Sequence, residues 1–234
     1  MKLKKVPAFI CFILVLAIGY LGIQIVPHFL YDNNNDCPQY IEEFVKNNPQ
    51  AIELKTNYQS EENDDPITLE INDKIPLFIQ WDKRWAYTPY GDEIIGTAGC
   101  GPTCIAMVAV GLTGNTDYNP RFVAKYASEN GYLEGSKTTW SFMEKGCQAF
   151  NLKATAVPLD KNSMINQLNQ GNPIICSVKA GDFTTSGHFL VITKTIDDKF
   201  YLNDPNNKEN SQHPWTYERL ASQIKAMWSY SLMQ

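Results

Sequence analysis

Ala98-Gly99-Cys100-Gly101-Pro102-Thr103, running into Ile105-Ala106-Met107-Val108-Ala109-Val110, is the stretch from which the rest of the chain is read. The apolar run predicts a buried helix, and the Gly, Cys, Gly and Pro ahead of it predict that helix's start. Proline is favoured at the first helical position because its absent N–H would have no partner there. A thiol at such a start meets unpaired N–H groups and the positive end of the helix dipole, which favour thiolate over thiol. Small residues on either side of Cys100 leave it open to a partner. The string therefore proposes a nucleophile, and the remaining question is whether the chain supplies a base, an orienting group and an oxyanion donor.

Only three histidines compete for the role of base. His28 borders an apolar N-terminal stretch, and His213 lies in the polar string Asn210-Ser211-Gln212-His213-Pro214. His188 follows Ser186-Gly187 and opens the β-rich run Phe189-Leu190-Val191-Ile192, a placement expected to leave the ring exposed and held. A Cys–His pair works best when a third group orients the imidazole. If 188–196 and 200–204 form a hairpin around Asp197-Asp198-Lys199, Asp204 falls within a few residues of His188 across the ladder. For the oxyanion donor the candidate is Gln80, at the end of the apolar run Ile75–Gln80 and 20 residues before Cys100.

The surrounding pattern predicts helices first and an antiparallel sheet second, an α+β arrangement. The helix after Cys100 should stop between Gly111 and Gly114, and Asn119-Pro120 starts the next, ending near Gly131. Thr138 or Thr139 caps a third, through Trp140, Phe142 and Met143 towards Phe150. Asp160 precedes a fourth, stopped by Gly171 with Pro173 beyond. Strands are expected at Ile174–Val178, His188–Ile196, Phe200–Asn203 and Ala226–Leu232. This order puts a helix-borne Cys and a strand-borne His on facing layers.

Gln80-Trp81-Asp82, Gly99-Cys100-Gly101-Pro102-Thr103, Gly187-His188 and Asn203-Asp204-Pro205, in that order, resemble the papain-like cysteine peptidases of the bacteriocin-processing, double-glycine leader type. The resemblance is closest to their stand-alone exported relatives, and it spans about Ile75 to the C-terminus. It implies a papain-like cysteine peptidase fold in which the Cys helix packs on a sheet carrying His and Asp. It also implies Cys100 as nucleophile, His188 as general base and acid, Asp204 as orienter and Gln80 as oxyanion donor, acting on a peptide or protein substrate without a cofactor. Cys104 departs from the pattern, since relatives carry Ser or Ala there. It lies on the same helix face as Cys100 and reads as a small buried group. A disulfide between the two would be strained by helical geometry.

The 234 residues also leave room for an export segment. Lys2, Lys4 and Lys5 precede Val6–Val26, which carries no charge. As a helix this segment spans roughly 31 Å, the thickness of the hydrocarbon layer. Lysines before it and Asp32 and Asp36 after it orient the rest of the chain outward. The domain reading is a signal-anchor at 1–30, a stalk with a short helical extension and acidic linker at 31–66, and a peptidase-like domain at 67–234. Cleavage as a signal peptide, with Ala17 and Gly19 near the cut, is the competing reading.

Net charge is −5, with acids and bases interspersed, which argues against nucleic-acid partners. Six cysteines at irregular spacing predict no disulfide framework; Cys147 and Cys176 read as small buried groups, and Cys37 has no assignment. A metal or redox module at Cys100 and Cys104 lacks both the Cys-x-x-Cys spacing and a close histidine pair. The alternatives to a peptidase are a non-catalytic peptide- or wall-binding domain with the same fold, and an acyl or amide transferase using the same residues. The aromatic residues Trp81, Trp85, Tyr87, Tyr90 and Trp140 are expected in the core more than in a groove.

Overall fold

The computed structural model describes residues 37–58, 66–71 and 73–234. The expected membrane segment at 1–30 and the first part of the stalk lie outside the described residues. Among the described residues no helix is long and apolar enough to cross a membrane.

Elements follow one another as α1 (Gln39–Asn47), a 3₁₀ turn at Pro49–Ala51, α2 (Ile52–Thr56), the small hairpin β1 (Pro89–Tyr90) and β2 (Glu93–Ile94), and α3 (Ile95–Ala98). After α3 come α4 (Cys100–Thr113), α5 (Pro120–Glu129), a second small hairpin β3 (Leu133–Glu134) and β4 (Lys137–Thr138), and α6 (Trp140–Glu144). The C-terminal part holds β5 (Leu152–Ala156), α7 (Lys161–Asn169), β6 (Ile174–Lys179), β7 (Gly187–Ile196), β8 (Lys199–Asn203), α8 (Tyr217–Ala221) and β9 (Ile224–Leu232). Five strands form one antiparallel sheet in the order β5-β9-β6-β7-β8.

The local chemistry explains most of these boundaries. α4 is apolar on every side, and Gly101 through Val110 are buried, as expected of a helix inside a core. It ends where Gly114 turns left-handed (φ 72°) and its N–H reaches back to the Val110 carbonyl at 2.9 Å. The Asn119 side chain accepts from the Phe122 N–H and starts α5 with Pro120 at the first position. Asp160 caps α7 in the same way through the Ser163 N–H, and that bond holds its carboxyl below the usual range. Asp197 (φ 50°) and Asp198 (φ 60°) make the left-handed two-residue turn that joins β7 to β8.

Both faces of the sheet are covered. Ile175, Phe189, Val191, Trp228 and Tyr230 pack with α4, α5 and Phe142 in the larger core. Ile174, Cys176, Val178, Leu190 and Ile192 pack with Met164 and Leu168 of α7 and with Phe200 and Leu220 on the other side. Two-sided burial is why Ile174-Ile175-Cys176-Ser177-Val178 is nearly uninterrupted in its apolarity. Cys104, Cys147 and Cys176 are buried, and burial pushes their thiols up.

Several elements differ from the sequence expectation. β5 is a strand because Leu152–Ala156 pairs with β9, a partner 80 residues away. The expected helix from Thr139 to Phe150 breaks after Glu144 into a 3₁₀ segment, Gly146–Phe150. A Cβ at Gly146 would lie 2.3 Å from the Phe142 ring, so these turns pack too closely for a larger residue. Residues 75–80, an apolar run that reads as a short strand or arm, form an arm outside any sheet.

The N-terminal helices share a third cluster with the rest of the fold. Ile41, Val45, Ala51 and Leu54 pack on Ile79, Trp81, Ala86 and Ile94. Residues 37–234 form one compact unit. Fully burying a side chain such as Ile41 or Leu54 stabilises the docked segment by about 1.5–3 kcal/mol each.

Candidate active site

Cys100 is the first residue of α4, half-buried, with Gly99 ahead of it as the cap. First-turn N–H groups of a helix carry partial positive charge, and Cys100 stands at that end of α4. Gly101 lets the β3–β4 hairpin close over this turn. A Cβ there would fall 2.5 Å from Thr138 Oγ1 and 2.7 Å from its Cβ. The same Thr138 hydroxyl is 2.7 Å from the Tyr90 hydroxyl, which ties hairpin, β1 and helix start together.

His188 is the second residue of β7, paired with Val178. Its Nε2 lies 2.7 Å from Asp204 Oδ1, and the ring lines the same cleft as Cys100, leaving Nδ1 as the nitrogen available to the sulfur. The ring is 6% exposed, so the expectation of an exposed histidine is corrected: α4 and the Asp204 loop close over it. Burial alone disfavours the charged ring, but the Asp204 carboxylate and the bond it accepts, then Cys100, outweigh that and raise His188 to about 10.

Asp204, just past the end of β8, is completely buried. Four groups besides His188 hold the residue. Oδ1 accepts from the backbone N–H of Asn206 (2.9 Å) and Asn207 (3.3 Å), an Asx-type turn. Oδ2 accepts from Asn210 Nδ2 at 2.7 Å, and the Asp204 N–H donates to Ser211 Oγ at 2.9 Å. A buried carboxylate with this many donors stays satisfied while it faces the imidazole.

Gln80 is also buried and lines the same cleft. Its Nε2 donates to the Gly96 carbonyl at 3.1 Å, which uses one of two amide hydrogens. Its backbone N–H donates to the Pro205 carbonyl at 2.8 Å, fastening the arm to the Asp204 loop. Asn203 Nδ2 donates to the carbonyls of Ile75 and Pro76 and fixes the other end of that arm.

The cleft over Cys100 and His188 has a volume of about 370 Å³. Phe44, Asn47 and Asn48 form one wall, and the loop from Gly181 to Gly187 forms the other. That loop is braced by Asp182, which pairs with Arg219, accepts from Gln223 Nε2 at 2.7 Å and donates its N–H to Gln223 Oε1 at 2.6 Å. The bond from Arg219 holds the Asp182 carboxyl low. Trp85 and Tyr90 are core residues, Trp81 is nearly so, and Trp140 is exposed.

Of the four residues expected from sequence, Gln80, Cys100 and His188 line one cleft and Asp204 is buried behind His188, while His213 is exposed elsewhere and His28 lies outside the described residues. Asn48, Asn206, Asn207 and Asn210 were not expected. Asn206 and Asn207 carry a faint signal in Asp204-Pro205-Asn206-Asn207, a turn-forming string; Asn48 carries none, being 158 residues from its partner.

A helix-borne thiol that shares a cleft with a strand-borne, carboxylate-held imidazole is the arrangement of the papain-like class of cysteine hydrolases. Within that class, residues 72–234 match the model of the Peptidase_C39 like family; the chain belongs to this family and is a cysteine-type peptidase. Solved structures similar to it include the peptidase domain of Streptococcus ComA, a bifunctional ABC transporter involved in a quorum-sensing pathway. That pair shares 17% identity at a TM-score of 0.46, over 63% of this chain and 99% of that one. A C39-like peptidase from Bacillus anthracis aligns at 16% identity and a TM-score of 0.42, over 68% and 96%. A double glycine motif protease of an AMS/PCAT transporter, solved with a leader peptide, aligns at 12% and 0.34, over 57% and 86%. No curated protein matches the chain.

Proposed function

We propose that the protein is a membrane-anchored, outward-facing cysteine peptidase in which Cys100, His188, Asp204 and Gln80 carry the reaction. The observation that supports this most is a single cleft lined by Cys100, Gln80 and His188, with the His188 ring held from behind by Asp204 at 2.7 Å. Cys100 Sγ attacks the scissile carbonyl carbon, and the second Nε2 hydrogen of Gln80 with the Cys100 N–H receives the oxyanion. His188 gives its proton to the departing amine, and a thioester to Cys100 remains. Water, deprotonated by His188, then attacks the thioester and restores the thiolate–imidazolium pair. Asp204 keeps the ring oriented and favours its charged form.

The anchor rests on Lys2, Lys4, Lys5 and the uncharged Val6–Val26. The test is peptide mapping after iodoacetamide treatment at pH 7, together with mass-spectrometric scoring of a mixed peptide library. Cys100 is expected to alkylate far faster than Cys37, whose thiol is pushed up by burial and by Glu42. Cleavage should vanish in Cys100→Ala and His188→Ala. Cys100 alkylation no faster than Cys37, with no cleaved peptide, would leave a binding domain as the better reading.

A further inference from the structure

The residues that match the family model begin at 72, yet one wall of the cleft comes from earlier in the chain. Asn48 follows α1 and is 7% exposed. Its side chain does not cap its own helix. Instead its Nδ2 donates to the Asn206 carbonyl at 2.7 Å and to Asn206 Oδ1 at 2.8 Å. Trp81 Nε1 donates to the same carbonyl at 3.0 Å. The N–H of Asn206 in turn donates to Asp204 Oδ1, the oxygen that faces His188. One residue along, Gln50 Nε2 donates to Asn207 Oδ1 at 3.0 Å and its Oε1 accepts the Lys208 N–H at 3.2 Å.

From this geometry we infer that the helical segment Gln39–Asn48 is a working part of the active site, with Asn48 a positioning residue that sets the Asp204 loop. The inference rests on the proposed roles of Cys100, His188 and Asp204. Asn206 is gripped from both sides, by Asn48 and Trp81 at its carbonyl and by Asp204 at its N–H. The Asn206 carbonyl shares one planar peptide unit with the Asn207 N–H, which donates to Asp204 Oδ1 at 3.3 Å, so loosening the Asn48 grip loosens a bond that aims Oδ1 at His188. The Asn48 side chain has no other polar partner among the described residues, so a role in docking the segment alone leaves this choice of acceptor unexplained. Docking is already supplied by Ile41, Val45 and Leu54.

The experiment uses the full chain and reads the pH profile of Cys100 alkylation by iodoacetamide, with thermal melting alongside. Asn48→Ala and the near-isosteric, uncharged Asn48→Leu, which also lacks the donor, are compared with Asp204→Asn and with Ile41→Val. Ile41→Val loosens the same segment without touching Asn206. Both Asn48 variants are expected to move the limb set by His188 towards that of Asp204→Asn, by about one pH unit or tenfold in the protonation ratio. Ile41→Val should lower the melting temperature and leave the profile in place. If Asn48→Ala does not fold, Asn48→Leu keeps the side-chain volume and Gln50→Ala carries the same comparison from less buried ground. A profile shifted by Asp204→Asn and unmoved by the Asn48 and Gln50 variants overturns the positioning role and leaves the proposed site intact. A profile that Asp204→Asn also fails to move overturns both.

Discussion

Replacing Asp204 with Asn removes the charge that keeps His188 protonated in a buried place, and the consequence for stability has a definite sign. His188 stands at about 10 in the fold against an ordinary 6.5. At roughly 1.4 kcal/mol per unit, that difference is of order 4–5 kcal/mol of preference for the protonated folded state. Breaking a buried charge pair by removing one partner costs about 3–5 kcal/mol, so the two routes agree. Because the folded value lies above the unfolded one, the contribution is complete below about pH 6.5 and is lost as pH rises through about 10. Wild type minus Asp204→Asn should therefore be greatest near pH 6 and shrink steadily toward pH 10. At about 2–4 °C per kcal/mol for a chain of this size, the gap near pH 6 is roughly 10 °C. The assay is thermal melting at half-unit pH steps, in a Cys100→Ser background so that thiol ionisation does not enter. Two melting curves that run parallel from pH 6 to 10 would refute the reasoning, because a charge-independent defect in the Asp204 loop behaves that way.

Gln80→Ala should leave Cys100 alkylation at its wild-type rate while peptide cleavage falls by roughly 10²–10³-fold, the cost typical of an oxyanion donor. Equal losses in both measurements would assign Gln80 to holding the arm instead. For the anchor, the protein should stay with membranes through a carbonate wash, and protease added to intact cells should degrade the domain. Protection of the domain in intact cells refutes outward orientation, and release of a shortened chain into the medium identifies cleavage.

Much of the sheet was legible because its strands carry their own signals. Asp197-Asp198-Lys199 between two strand-like runs reads as a hairpin turn; the turn itself takes only Asp197 and Asp198, and Lys199 already pairs with Ile196. The thiol, imidazole and carboxylate were legible for a related reason: a helix start, a strand start and a strand end each have local chemistry. β5 was not. Leu152-Lys153-Ala154-Thr155-Ala156 does alternate, but after Leu152 its apolar positions are alanines, which are depleted in strands, and pairing with β9 makes it one. Nor could the burial of His188 be read, since two segments distant in sequence close over it. Gln80 was legible as a residue at the end of an apolar run, but its bonds to Gly96 and Pro205 depend on an arm that belongs to no sheet. Asn48 shows the limit most clearly, because an asparagine after a helix is ordinarily a cap and nothing nearby says that it reaches Asn206.

The arm at 75–81 links parts of the chemistry that are separate in sequence. Asn203 holds its beginning at the Ile75 and Pro76 carbonyls, the Gln80 N–H donates to Pro205 near its end, and the Trp81 ring nitrogen donates to Asn206. The Gln80 side chain faces the cleft, and the residues just beyond Asp204 hang from the same arm. Oxyanion stabilisation and orientation of the base are therefore set by one piece of backbone. A shift of the arm that moves the Gln80 amide also moves Pro205 and Asn206, and through Asn206 the carboxylate that holds His188. Groups that share such a support do not contribute independently. The N-terminal segment enters at the same junction, because Asn48 and Trp81 share one acceptor. That convergence on the Asn206 carbonyl is the physical reason a helix outside the matched family region bears on the geometry of His188.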